Sequence, residues 1–427
     1  MKNLKMTKIL KKMAALSLAA VLSIGALAGC GSSSSDSSSS EETTSSDETA
    51  SSGETASSDD TASETEASDT ALAGTADGET IKIGVLVADV SGEEALAFRA
   101  YYEDYIAANY NVTFQYTNAL EDAAGEKSAI EEFAAQGYDA IISLSSSDRA
   151  TQIETCESYG LYYAVASGML EDEQYETYKE YEYFVGQIGP SMDAEYEAGY
   201  AMGEYYASLG VSTVAIYGAF IPNSMHVYRL AGVIAGLGAS YDGNTDADSI
   251  AASLFTDQSL DLSKVECGDV EIVSYFQGYG DTTTDELNAA IQAEPDAFIS
   301  VGMATTFFAQ SLNTAGIQYS DIDSFTSANA ELMSSGYLTY IAGKYSSSIG
   351  PIFAVIVDAV NGNLIRNEDG SALSISQGYL VATDSDTFDA YYSADQGDSP
   401  IMSTDVLDTI IGLDVTIDDV TAVVENN

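Results

Sequence analysis

The chain contains no tryptophan, one histidine, three cysteines and five prolines in 427 residues. Without tryptophan there is no indole to stack on a sugar face. The lone histidine, His226, has no second histidine or cysteine near it, which excludes a zinc-type metal site. Cys30, Cys156 and Cys267 lie outside any CxxC spacing; with Cys30 accounted for below, Cys156 and Cys267 are expected as two buried thiols in different parts of the fold rather than as a disulfide. Positive charge is scarcest of all, with 14 Lys and Arg against 67 Asp and Glu and a net of −53. Nucleic acid and anionic membrane surfaces are therefore excluded as partners of the folded part. There is no Gly-x-Ser-x-Gly, no Walker loop and no paired His and Cys, so nothing asks for an enzyme or a cofactor.

Five of the basic residues, Lys2, Lys5, Lys8, Lys11 and Lys12, precede an apolar stretch that starts at Met13 and ends in small residues. A charged segment, an apolar segment and a small-residue cut site make a secretory signal over residues 1–29. The tetrad Leu27-Ala28-Gly29-Cys30 resembles the bacterial lipoprotein box. That resemblance implies a diacylglycerol on the Cys30 thiol and a cut in front of Cys30; two acyl chains hold a protein stably at a membrane where one does not. From Gly31 to Gly78 the chain is mostly Ser, Thr, Ala, Gly, Asp and Glu, without Lys, Arg or an aromatic residue. It cannot bury enough apolar surface to offset its ordering entropy, so residues 30–78 read as a lipidated cysteine and a solvated spacer.

About 349 residues remain from Glu79, more than one core organises, so two lobes are expected. Short apolar runs alternate with amphipathic ones: IKIGVLVAD, VTFQYTNA, DAIISLSSS and YYAVASG in the first half, then VSTVAIYGA, VEIVSYFQG, DAFISVGMA and IDSFTSA from Val211 onward. Strands alternating with helices predict an α/β fold whose parallel sheets are covered on both faces.

Residues spread between about Ile81 and Asp384 carry a family resemblance. VGQIGPSMDAEYEAGYAMGEYYASLG looks like the first interlobe crossing of type I periplasmic binding proteins with its small-residue helix. HVYRLAGVIAGL is similar to their Arg-x-x-Gly helix, DAFISVGMATTFFAQSLNTAG to a strand and helix of the second lobe, and YIAGKYSSSIGPIFAVIVDAVNG to the return crossing. With the leader and the spacer, the whole resembles the solute-binding lipoproteins of ABC importers. The resemblance implies two Rossmann-like lobes joined by a multi-crossing hinge. The N-terminal lobe is expected at 79–187 plus about 345–375, and the C-terminal lobe and tail at 188–344 plus about 376–427. The stretch from Tyr241 to Gly268 and the tail after Asp384 depart from the family pattern.

In open α/β sheets ligands bind beyond the carboxyl ends of the strands, beside helix N-termini. The candidate ligand-binding residues in the first lobe are therefore Asp89 and Ser91, Ser145 and Ser147, and Ser167. Ser91 and Glu94 also have capping-box spacing, which makes Ser91 equally a helix-initiating residue. In the second lobe the candidates are Asn223, His226, Phe276, Gln277, Asp281 and Asn329. Phe276 serves stacking or the core equally well. Lys344 stands at the presumed crossing, where the resemblance implies a polar contact to the ligand. The same resemblance implies a role for Arg229, structural or ligand-contacting.

The expected function is capture of a small polar solute, a sugar or polyol, between the lobes. Delivery follows to an ABC permease by a monomer lipid-anchored on the extracytoplasmic face of the cell membrane. A nucleoside or signalling molecule as ligand, or a sensor component coupled to a membrane receptor, are the alternatives.

Overall fold

The computed structural model describes residues 78–426, except 121, 146, 147, 222, 279, 280, 397 and 398 and the side chains of 281 and 282. The leader, Cys30, the spacer, Ser147 and the side chain of Asp281 lie outside the described residues.

The apolar runs form strands because β-branched residues pack well on a pleated surface buried from both sides. The first sheet has the order β13-β5-β4-β3-β1-β2. Its strands are β1 (Ile81–Leu86), β2 (Val112–Tyr116), β3 (Ala140–Ser143), β4 (Tyr162–Ala166), β5 (Phe184–Gly189) and β13 (Leu373–Ser376), all paired in parallel. The second sheet has the order β14-β12-β11-β10-β6-β9. It comprises β6 (Thr213–Tyr217), β9 (Glu271–Phe276), β10 (Ala297–Ser300), β11 (Gln318–Ile322), β12 (Leu338–Gly343) and β14 (Leu380–Ala382). Only β14 runs antiparallel, against β12. The chain passes between the sheets after β5, after β12 and after β13, which is the expected multi-crossing hinge.

Part of the large acidic excess is spent on helix starts. Asp122, Asp148, Asp246 and Asp384 each accept a hydrogen bond from the backbone N–H three residues on, which satisfies a donor the first turn leaves open. The capping box expected at Ser91 does not form. The helix Glu93–Ala100 starts after Gly92 with no side-chain cap, and the Ser91 hydroxyl instead donates to Asp89. The turn made by Asp89 competes for Ser91 more effectively than the helix does.

The small-residue face after the first crossing has a packing role. The helix Met192–Leu209 lies against Ser224–Gly236. A side-chain carbon at Gly199 would come within 2.0 Å of the Arg229 carbonyl oxygen, one at Gly232 within 2.1 Å of that of Tyr196, and one at Gly236 within 2.2 Å of that of Tyr200. Only glycine lets two backbones approach so closely.

Two expectations need correction. Cys156 is buried, but Cys267 is exposed. Cys267 follows β8 (Val265–Glu266), which pairs only with the two-residue β7 (Ser240–Tyr241), and so small a ribbon has too little cover to bury its end. The tail also leaves the second lobe. Helix Ser385–Ala394 does pack there through Phe388. Met402, Leu407, Ile410, Val420 and Val424, however, belong to the core of the first lobe, so the chain crosses back once more near Asp395. The apolar spacing of the tail predicts helices but does not say which lobe they cover.

Candidate functional site

Of six residues other than glycine with positive φ among the described residues, three follow strand ends of the two large sheets. Ser167 after β4, Ala219 after β6 and Met303 after β10 all have positive φ, at 60°, 51° and 72°. Residues other than glycine adopt that conformation at a cost, and such positions gather at ligand clamps and active sites.

Two of the expected site residues meet. Lys344, just past β12, donates from Nζ to the Ser167 hydroxyl at 2.9 Å. Beside them stands Arg149, the first residue of the helix Arg149–Tyr159. It donates from a terminal nitrogen to the Met169 carbonyl at 2.5 Å, and a side chain at Gly168 would meet its guanidinium at 2.9 Å. Its Nε is shut away from solvent without a partner. Burial lowers the pKa of both Arg149 and Lys344, since desolvation penalises the charged form. A cleft of about 220 Å³ opens next to Lys344, bounded by Glu93, Leu96 and Ala97 of the first lobe and by Phe325 and Tyr391 of the second. At another edge of the interlobe space, the Ser224 hydroxyl of the second lobe donates to the Glu171 carboxylate of the first.

The remaining expected residues are held in local structure. Asp89 is exposed, and its carboxylate accepts from the Ser91 and Gly92 N–H groups at 2.9 and 3.0 Å, the Ser91 N–H chiefly holding its pKa below the ordinary value. Ser145 is buried and donates to Glu126 at 2.5 Å, while the other Glu126 oxygen accepts from the Asp148 N–H; that buried carboxylate ties down both ends of the loop. Asn223 caps its helix through the Met225 N–H. Asn329 is buried and donates to the Ser324 carbonyl. Gln277 is taken up by Tyr275 and by the Gln258 carbonyl. The helix Asp281–Gln292 begins at Asp281.

Phe276 is not available for stacking on a ligand. It is 4% exposed and packs among Tyr217, Phe298 and Phe308 at ring separations of 5.1 to 6.0 Å. As the last residue of a strand it presents its ring to the helix-covered face, not past the strand end. His226 is buried, with Nδ1 at 3.2 Å from the Phe220 backbone. Burial and the nearby Arg229 push its pKa down to about 3, so it is neutral at physiological pH.

Sequence reasoning missed an ionic cluster at the hinge. Arg229 donates to Glu195 at 2.6 Å, to the Val301 carbonyl at 2.9 Å and to the Tyr379 hydroxyl at 2.7 Å, and Tyr379 donates in turn to Glu195. This network joins the helices after the first crossing and after β6 to the crossing between β13 and β14, so Arg229 is structural. A signal was present in the composition. Only 9 basic residues lie beyond the leader, and Arg149, Arg229 and Lys344 are three that fall at one place, close enough for the first two to act electrostatically on the third. Among the described residues no cluster of His, Cys, Asp and Glu is arranged to hold a metal ion, and no helix is long and apolar enough to cross a membrane.

No family model matches the chain, and no curated protein matches its sequence. Solved structures do match. A solute-binding protein of an ABC transporter from Bacillus halodurans C-125, with bound myo-inositol, superimposes at a TM-score of 0.54 with 17% identity, over 75% of this chain and 99% of that one. The periplasmic binding protein of the arabinose ABC transporter from Shewanella sp. ANA-3, bound to L-arabinofuranose, gives 0.52 and 15%, over 73% and 94%. A galactofuranose-binding protein gives 0.54 and 11%, over 74% and 98%. With two parallel-sheet lobes and a multi-crossing hinge matched over nearly the whole length of these proteins, the chain has the fold of the type I periplasmic binding proteins.

Proposed function

We propose that this protein captures a small polar solute, a sugar or related polyol, between its lobes and delivers it to an ABC importer. The observation that carries the reading is the meeting of Lys344 and Ser167 at the hinge, next to a cleft that Lys344 lines together with residues of both lobes. Proteins of this fold bound to arabinofuranose and to myo-inositol support the choice of solute. The binding groups in this reading are Ser167, Lys344 and the polar loops carrying Asp89 and Ser145, with the lobes closing over the solute. A solute touching both lobes stabilises the closed form, and that population shift is what a permease would recognise. The mature chain is tethered through Cys30 to the outer face of the cell membrane, the spacer giving the lobes their reach, and it performs no chemistry on its solute.

A thermal-shift panel of sugars, polyols, nucleosides and amino acids tests this reading. A true solute at 100 times its dissociation constant stabilises the protein by ~2.7 kcal/mol. A panel in which only nucleosides or amino acids act overturns the sugar assignment. For the tether, Cys30→Ser is expected to leave the protein uncleaved or released from the membrane fraction; cleaved, fully membrane-bound Cys30→Ser protein overturns it.

A further inference from the structure

The arrangement at the hinge bears on the charge of the solute. In a chain with so few basic residues, two cations, Arg149 and Lys344, converge on the three-residue segment Ser167–Gly168–Met169. Among the described residues neither is in a salt bridge. Arg149 gives one hydrogen bond to a carbonyl and keeps a buried Nε without a partner; Lys344 gives one to a hydroxyl and otherwise faces the Tyr379 ring at 5.6 Å. The third cation of the cluster, Arg229, is fully engaged by Glu195, Val301 and Tyr379. Of the carboxylates within electrostatic reach, none forms an ion pair with either cation. Glu195 is held by Arg229 and Tyr379, Glu126 by Ser145 and the Asp148 N–H, and Glu94 is exposed on the helix Glu93–Ala100.

Desolvated cations without a counter-charge are costly, and a neutral hydroxyl or carbonyl compensates only part of that cost. We propose that Arg149 and Lys344 form the recognition site for a carboxylate on the solute, so that the protein takes a sugar acid in preference to the corresponding neutral sugar. The inference rests on the sugar-capture reading above and deepens it. One carboxylate matches the site better than a phosphate dianion, because Glu126 already acts electrostatically on Arg149, and Glu94 and Glu195 on Lys344. A planar guanidinium beside an ammonium suits the two oxygens of a carboxylate.

Calorimetric titration of the full chain with matched pairs tests this: D-glucose and D-glucuronate, D-galactose and D-galacturonate, L-arabinose and L-arabinonate, with D-glucose 6-phosphate alongside. At least one acid is expected to bind ~10-fold or more tightly than its neutral partner. Arg149→Gln and Lys344→Met are each expected to weaken that acid by ~10- to 100-fold while moving the neutral partner by less than ~3-fold. Arg149→Lys and Lys344→Arg, which keep the charge and are milder for folding, are expected to retain most of the preference for the acid. Neutral sugars binding as tightly as their acids overturn the inference and leave the sugar-capture reading standing, as does acid binding untouched by all four substitutions. Preference for the phosphate overturns the assignment to a carboxylate. If no compound in the panel binds, the sugar-capture reading falls and this inference falls with it.

Discussion

The Nε of Arg229 lies 2.6 Å from the Glu195 carboxylate, with the two side chains only 7% and 3% exposed. The pair joins the helix that follows the first crossing to the helix after β6, and Tyr379 bonds both partners from a third segment. Removal of one member leaves the other charged and buried. Glu195→Ala and Arg229→Ala are each expected to destabilise the protein by ~3–5 kcal/mol, whereas the double replacement Glu195→Leu with Arg229→Met is expected to recover much of that loss. Urea unfolding of the three variants measures it; additive losses in the double variant refute the coupling.

The glycine contacts between the helices Met192–Leu209 and Ser224–Gly236 leave no room for a methyl group. Gly232→Ala, which would place a carbon 2.1 Å from the Tyr196 carbonyl oxygen, is expected to cost ~1–3 kcal/mol or more, despite alanine's higher helix propensity. A variant at least as stable as the wild type in thermal unfolding contradicts the close packing.

Stability is expected to fall on acidification because of His226. Its pKa is about 3 in the folded protein and near 6.5 when unfolded, so between those values the unfolded chain binds a proton that the folded one does not. The contribution is complete above pH 6.5 and is lost as pH drops toward 3. Asp321 acts in the opposite sense. Burial and the neighbouring Asp323 raise its pKa, so its contribution is complete at low pH and is lost as pH rises above the usual carboxylate range. Between pH 7 and 4, His226→Asn should lose ~3 kcal/mol less stability than the wild type. Denaturant titrations at a series of pH values check this, and parallel slopes refute it.

The tail contributes to a core that the sequence alone would not assign to it. Leu407 and Val420 are fully buried among residues of the first lobe, and the Tyr101 hydroxyl donates to the Met402 carbonyl at 2.6 Å. Leu407→Ala is expected to cost ~2–5 kcal/mol. Limited proteolysis should then cut first within residues 402–426; cleavage no faster than in the wild type shows that the tail is dispensable.

The two described cysteines are expected to differ sharply in reactivity. Cys156 is sealed in the core and burial raises its pKa well above the usual value, so little thiolate is available for attack. Exposed Cys267 should react with a maleimide in the native state, and Cys156 only after denaturant is added. Peptide mapping by mass spectrometry distinguishes them, and native labelling at Cys156 contradicts its burial.

Local chemistry determined most of what the sequence disclosed. Runs such as IKIGVL and DAIIS are β-rich and apolar on both faces, which dictates covered parallel strands. Helix-period stretches between them dictate the crossovers, and the long interval from Glu79 dictates two lobes. The strand-end principle placed Ser167 among the candidates and the family resemblance placed Lys344 there, and the two do meet. What the tertiary structure decided is what each polar group faces. Asp89 turns back on its own loop through Ser91 and Gly92, whereas Ser145 turns to Glu126 and Phe276 into a ring cluster because their partners come from other elements. The convergence of Arg149 with Lys344, the engagement of Arg229 by Glu195 and Tyr379, and the return of the tail to the first lobe are contacts across 34 to 301 positions of chain. Periodicity has a range of about one helix or strand, and only folding brings such distant segments together.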